Sequence, residues 1–241
     1  MPRILMINPN RSQACGAGIS DAVERFRFSG GPTLDVMSLP EGPPAIYSWQ
    51  DWHAAVGPVC RCITSEKADC YVIACASDPG IGAARALTSR PVLGIFRAAV
   101  ASAMAGAEHF GVVAIVDASK ARHLLALRAM GLESRLAAEV ALNVTMDELL
   151  DASVARRRLC DAARSCVAAG AETVILGCTG MAHHHDAVQD AAGVAVIEPC
   201  QAAAALALSL VAGRNQSAAG DAGDLDQTGG STAPTCLVMR P

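Results

Sequence analysis

The sequence contains few aromatic residues and no strongly basic segment. Phe, Trp and Tyr make up 3% of its 241 residues, so alanine, valine and leucine must fill the core. The formal net charge is −4, and the longest basic run is the three arginines at 156–158. Proteins that bind nucleic acid or an anionic membrane surface usually present a basic patch. We therefore expect a small-molecule partner, no nucleic acid and no membrane.

Signals for membrane insertion, export and metal binding are also absent from the sequence. No apolar run reaches the roughly 18–20 residues of a membrane span, and residues 2–7 are typical of a strand rather than of a signal peptide. The ten cysteines include no pair or Cys/His set with the spacing of a structural zinc site. We therefore predict a cytoplasmic protein that binds no metal. Its cysteines are expected to be reduced, because disulfides are rare in the cytoplasm.

Apolar runs that alternate with alanine-rich segments predict an α/β fold. Hydrophobic residues make up 52% of the chain, which is enough for a sizeable core. Short apolar runs bounded by Gly, Pro or Asn are typical of buried parallel strands, and a helix between two such strands makes the crossover. The predicted strands are 4–7, 34–37, 71–74, 92–95, 111–116, 173–176 and 194–197. The predicted helices are about 16–27, 49–66, 96–106, 119–130, 147–169, 183–192 and 201–212.

Two segments of the chain are similar to each other. Residues 68–77 read ADCYVIACAS and residues 171–180 read AETVILGCTG, and an alignment without a gap places Cys75 on Cys178. A repeat of this kind indicates a duplicated unit. We predict two pseudo-symmetric lobes, each a mainly parallel sheet flanked by helices, with the active site in the cleft between them. The first lobe is 1–97 plus 201–213, the second is 98–200, and 214–241 is a flexible C-terminal tail.

The paired cysteines predict a particular chemistry. Both follow an apolar strand, and ligands of open parallel sheets bind at the carboxyl ends of the strands. A helix N-terminus after each cysteine would lower the pKa of the thiol toward neutrality. One thiolate could then remove a proton from carbon while the opposite thiol returns one, which inverts the centre without a cofactor. A hydrolase more often pairs Cys with His, and the nearest histidines, at 183–185, are expected on a helix surface.

Four motifs resemble the Asp/Glu racemase superfamily, and within it the hydantoin racemase branch, which includes allantoin racemases. They are RILMINPN at 3–10, ACASDPG at 74–80, PVLGI at 91–95 and LGCTGM at 176–181. The resemblance covers about residues 3–212 and implies a cofactor-independent enzyme that forms a homo-oligomer. It implies that Cys75 and Cys178 are the acid/base pair and that Asn10 orients the substrate. It also implies that the substrate amide or carboxylate lies against four further residues, mainly their backbone N–H groups: Ser77, Asp78, Thr179 and Gly180.

The sequence departs from the family pattern at two places. Ala114-Ile115 stands where family members commonly carry Thr-Thr, so a less polar pocket is expected. Phe96-Arg97 stands where a Gly-Glu pair is common, and these side chains either reshape the entrance or are ordinary packing and surface residues. Cys15 follows the Asn10 loop and could approach the site.

Three functions remain open on the sequence alone. The first is a racemase or epimerase of a 5-substituted hydantoin, an allantoin-like ureide or a related amino-acid derivative. The second is a decarboxylase or cis–trans isomerase that uses one cysteine as proton donor or nucleophile. The third is a ligand-binding relative without catalytic activity. Retention of Cys75 argues against a decarboxylase, because decarboxylation needs only one proton donor.

Overall fold

Two four-stranded parallel sheets form the centre of the molecule, as a computed structural model of the chain shows. The structure describes residues 1–150 and 152–220. The first sheet contains β1 (Arg3–Asn8), β2 (Thr33–Ser38), β3 (Cys70–Ile73) and β4 (Val92–Gly94) in the order β2-β1-β3-β4. The second contains β5 (Phe110–Ala114), β6 (Leu136–Ala141), β7 (Thr173–Gly177) and β8 (Ala195–Ile197) in the order β6-β5-β7-β8. All pairings are parallel, so the predicted two-lobed α/β fold is confirmed.

Helices flank both sheets. They are α1 (Gln13–Val23), α2 (Trp49–Ser65), α3 (Ile81–Ala86), α4 (Ile95–Gly106), α5 (Asp117–Met130), α6 (Met146–Leu150), α7 (Ala152–Ala168), α8 (His185–Ala192) and α9 (Pro199–Gly220). Ser48 begins α2 with a capping box, in which its hydroxyl accepts from the Asp51 N–H while the Asp51 carboxylate accepts from the Ser48 N–H. Within the described residues, no helix has the length and apolar character that a membrane crossing requires.

Burial on both faces explains why the central strands are continuous apolar runs. Ile4 and Met6 of β1 face a cluster formed with α1, α4 and α9, whereas Leu5 and Ile7 face a cluster formed with α2 and α3. Alternate residues of one strand therefore enter different layers of the core. In the second lobe Val112 and Val113 divide in the same way between two clusters.

The structure differs from the predicted elements at three places. Strand β6 was not predicted, because its sequence LAAEVA is only partly buried and lacks a β-branched run. Helix α3 is the helix expected after Cys75, but it has only six residues and its bounds were not predicted. Helix α9 packs against α1, α4 and β3 and continues to Gly220, past the predicted start of the tail at 214. The rest of the predicted tail, 221–241, lies outside the described residues.

Candidate active site

A cavity lies between the carboxyl ends of the two sheets. Cys75 follows β3 and Cys178 follows β7, so each lobe contributes one thiol to the cavity wall. Asn10, Ser77 and Thr179 also line it. The cavity thus brings together five of the seven predicted site residues, whereas Asp78 and Gly180 lie outside its lining.

Cys75 is held by its own loop. Its Sγ lies 3.5 Å from the hydroxyl of Ser77. Burial raises the pKa of the Cys75 thiol, and the carboxylate of Asp78 raises it further, while hydrogen bonds from Ser77 and the charge of Arg122 lower it. The prediction that a helix N-terminus lowers this pKa toward neutrality is wrong. Helix α3 begins only at Ile81, and the desolvation of the thiol outweighs the groups that favour the thiolate.

Cys178 precedes a 3₁₀ helix at Thr179–His184. Burial raises the pKa of this thiol to about 12, against a smaller lowering by the backbone N–H of Gly180. Negative charge on Cys15, Cys75 or Glu198 raises it further. The expected lowering is therefore wrong for this cysteine as well. Because charge on Cys75 disfavours charge on Cys178, the arrangement favours one thiolate at a time.

Asp78 anchors the Cys75 loop instead of facing the cavity. Its carboxylate accepts hydrogen bonds from the backbone N–H groups of Phe96 and Arg97 at 3.0 and 3.2 Å, and from Nη1 of Arg97 at 2.9 Å. A Cβ at Gly94 would overlap this carboxylate, so the close approach requires glycine. Phe96 is fully buried and stacks on His123, and Arg97 forms the ion pair with Asp78. These contacts fix the end of β4 against the loop.

The Asn10 loop is fixed by side-chain amides. Oδ1 of Asn10 accepts from Nδ2 of Asn8 at 3.1 Å and from the backbone N–H of Ser12 at 2.9 Å. Ser12 then begins α1, its hydroxyl accepting from the backbone N–H of Cys15. As a result both Asn10 and Cys15 line the cavity, and Cys15 does approach the site.

Several cavity residues were missed by sequence reasoning. Ser119, Arg122 and His123 of α5 line the cavity, as do Tyr47 and Met146. The spacing i, i+3 and i+4 places the three α5 residues on one face, which is the only sequence signal that joins them. Nothing in the sequence shows that this face is turned toward the thiols.

The histidines after Cys178 do not line the cavity. The prediction of a surface position is wrong for His184, which is buried and lies with Nε2 3.3 Å from the carbonyl oxygen of Leu149. His123 does line the cavity, and its Nδ1 lies 2.6 Å from Oε1 of Glu139. Across the part of the chain that the structure describes, no group of three or more His, Cys, Asp or Glu side chains could hold a metal ion.

The fold and the cavity define an α/β enzyme with a small-molecule site between two similar lobes. The family model for Asp/Glu/hydantoin racemases matches residues 4–207, and the chain belongs to this family. The hydantoin racemase of Paenarthrobacter aurescens is 36% identical over 217 residues, which cover 87% of this chain and 91% of that protein. The hydantoin racemase of Pseudomonas sp. (strain NS671) is 31% identical, with 87% and 86% covered.

A solved structure agrees with the sequence comparison. The allantoin racemase from Klebsiella pneumoniae superposes with a TM-score of 0.80 at 30% sequence identity, over 88% of each chain. The protein is therefore a racemase, an isomerase that acts on a small molecule. The same comparison confirms the predicted family and its hydantoin racemase branch.

Proposed function

We propose that the protein racemises a 5-substituted hydantoin or an allantoin-like ureide by proton transfer between Cys75 and Cys178. The observation that carries the proposal is the position of the two thiols. They follow equivalent strands, β3 and β7, of two sheets with the same strand order, and they line one cavity. A planar intermediate held between them would meet one thiol on each face.

The reaction removes one proton from the stereocentre and returns one proton to its opposite face. The thiolate of one cysteine takes the hydrogen of the stereocentre as a proton, so an S–H bond forms. The electron pair of the C–H bond passes into the neighbouring carbonyl group as an enolate. The opposite thiol then gives its proton to the other face of the same carbon and becomes a thiolate. The site ends with the charge it began with, which agrees with an arrangement that favours one thiolate at a time.

The cavity wall suits a ring with one apolar substituent. Polar groups of Asn10, Ser77 and Thr179 lie on the lining and can bond ring amides. Apolar side chains occupy another part of it: Ala45, Ile46, Ile115 and Met146. Ile115, one of the two departures from Thr-Thr, thus lines the pocket, which supports the expectation of a less polar site. We assign the apolar part to the substituent at ring position 5.

Exchange of the substrate hydrogen tests the proposal. Proton NMR in D₂O would follow 5-substituted hydantoins, allantoin and free amino acids with the wild-type protein and with Cys75→Ser and Cys178→Ser. We expect racemisation with exchange of the ring C–H in the wild type. Each variant should lose racemisation and keep, at most, exchange of one enantiomer without inversion.

The control is Cys60→Ser, which changes a thiol of α2 outside the cavity lining and should leave the rate unchanged. Full racemisation by Cys75→Ser or Cys178→Ser would refute the two-base reaction. Release of CO₂ from a malonate, with no racemisation of any of the hydantoins or ureides, would favour a decarboxylase instead.

A further inference from the structure

The proposed reaction leaves one buried charge without a role. Arg122 of α5 is 3% exposed and lines the cavity. Its Nη1 and Nη2 donate at 3.3 Å to the carbonyl oxygen of Tyr47, and Nη2 donates at 3.2 Å to the hydroxyl of Ser119. Nε is buried and has no hydrogen-bond partner among the described residues. None of the carboxylates whose side chains the structure describes forms an ion pair with this guanidinium.

A buried cation without a carboxylate is costly, so a counter-charge is expected nearby. The carboxylates of Asp51, which caps α2 through Ser48, and of Glu139, which lies beside His123, act on Arg122 from a distance, but neither forms an ion pair with it. A thiolate at Cys75 is a further negative charge that acts on Arg122, and it lies in the same cavity.

Arg122 reaches from the second lobe onto the lobe that carries Cys75. Its Cζ lies 5.9 Å from the ring centroid of Trp49, and Trp49 packs edge-on against Trp52 at 5.7 Å. Nε1 of Trp52 donates at 2.9 Å to the carbonyl oxygen of Ser77, two residues after Cys75. Arg122 also lines, with Ser77, a second cleft beside the cavity. The guanidinium therefore lies on the Cys75 side.

The ionisable groups described below near Cys178 are acidic rather than basic. Strand β8 pairs with β7 so that Ile197 is opposite Ile175, and Glu198 follows directly. Glu198 is 2% exposed, and its Oε1 has no hydrogen-bond partner among the described residues. The other titratable group that acts on Cys178, besides Cys75, is Cys15 of α1. Among the described residues, the charged or ionisable groups that act most strongly on Cys178 are Cys15, Cys75 and Glu198, none of them positive, whereas those that act on Cys75 include Arg122 as well as Asp78.

We propose that Arg122 is the fixed counter-charge of the site and makes its two cysteines unequal, so that Cys75 loses its proton at a lower pH than Cys178 in the unliganded enzyme. Cys178 then starts the cycle as the proton donor. Arg122 is a positioning residue in this scheme, because it acts through Cys75. The role of this asymmetry in turnover rests on the proposed two-thiol reaction, but the charge state of the empty site does not.

Alkylation of the unliganded protein tests the inference without substrate. Iodoacetamide reacts with thiolates, and mass spectrometry of the digested protein reports Cys75 and Cys178 separately across a pH series. We expect Cys75 to titrate at the lower pH. In Arg122→Gln the profile of Cys75 should move up by about one pH unit or more, which is about tenfold slower alkylation at a fixed pH below the transition. The profile of Cys178 should change much less.

Three further variants make the result specific. Arg122→Lys keeps the charge and should restore most of the Cys75 reactivity. Arg128→Gln removes an exposed arginine of the same helix, paired with Glu133, and should have no effect. Cys166 is fully buried in α7, so alkylation of Cys166 in the same digest would show that a variant has unfolded. If Arg122→Gln exposes Cys166, then Arg122→Met, which matches the length of the side chain with an apolar one, takes its place.

Two outcomes would overturn the inference. One is an unchanged Cys75 profile in the neutral variant while Cys166 stays protected. The other is a wild-type protein in which Cys178 titrates below Cys75. A protein that shows the expected alkylation profiles but racemises none of the hydantoins, ureides or amino acids would refute the proposed function and leave the counter-charge standing.

Discussion

A methyl group added at Gly177 would test how the second sheet positions Cys178. Gly177 ends β7, pairs with Ala114 of β5 and directly precedes Cys178. The Cβ of an alanine there would lie 2.6 Å from the carbonyl oxygen of Val113 and 3.3 Å from Cα of Ala114. Contacts of this kind are ordinary from about 3.4 Å, so the end of β7 would have to move away from β5 by about 0.8 Å.

We expect Gly177→Ala to reduce both activity and stability. Misplacement of a reacting group by about 1 Å can cost about 100-fold in rate, whereas overpacking a core typically costs about 1–3 kcal/mol of unfolding free energy. Asn10 and Ser77 of the first lobe, two of the three residues proposed to bind the ring, stay in place, so we expect a larger effect on kcat than on KM. Polarimetry with a 5-substituted hydantoin gives both constants, and urea unfolding gives the stability.

The chain offers a matched control for this change. An added Cβ at Gly82 of α3 meets no atom within 4 Å, so Gly82→Ala should keep the wild-type kcat. In the first lobe the residue equivalent to Gly177 is Ala74, which shows that a Cβ before the cysteine is tolerated where the sheet leaves room. A Gly177→Ala protein with wild-type kcat and lowered stability would refute the idea that the β5–β7 contact places Cys178.

Two further predictions concern pH and the anchor of the Cys75 loop. The pKa of Cys75 is raised and that of Cys178 is about 12, so the fraction of each thiol that is ionised grows with pH. We therefore expect kcat/KM, measured by polarimetry, to rise steadily from pH 7 to pH 9. A plateau of kcat/KM below pH 7 would contradict this. Asp78→Asn keeps a residue type that tolerates the φ of 44° but replaces the oxygen that accepts from the backbone N–H and Nη1 of Arg97 with an amide donor, so we expect a loss of about 1–3 kcal/mol in urea unfolding. Glu133→Gln, at an exposed ion pair, should leave the urea midpoint unchanged, and an equal effect of both changes would argue against the anchor.

The fold could be predicted because its strands are buried on both faces. A run such as Ile4–Ile7 has no polar position, and the helices between such runs are long enough to show in composition. Strand β6 could not be found in this way, because an edge strand with partly buried Leu, Ala and Glu side chains has neither a continuous apolar run nor strict alternation.

The two cysteines could be predicted from the residues because the chain repeats itself, whereas Asn10 was predicted from the family resemblance and lies outside the repeat. Cys75 and Cys178 stand out because each follows an apolar strand at the same place in its unit. The direction of a side chain is a tertiary property, so the sequence could not show that Asp78 turns toward α4. Arg122 was missed for a related reason: an arginine on a helix is usually exposed, and this one is buried where Tyr47 and Trp49 of the other lobe approach it.

The shared strand order of the two lobes has a consequence for stereochemistry. Two units built from L-amino acids can be superposed only by rotation and translation, whereas two enantiomers are related by reflection. Rotation places an equivalent group on each face of a flat molecule, which is what the proposed reaction requires. A site with identical halves would also accept that flat molecule in two opposite orientations. If the proposed reaction holds, residues that differ between the halves, such as Arg122, would remove this degeneracy, and imperfect duplication would give the bound ring a single orientation in which each face meets its own thiol.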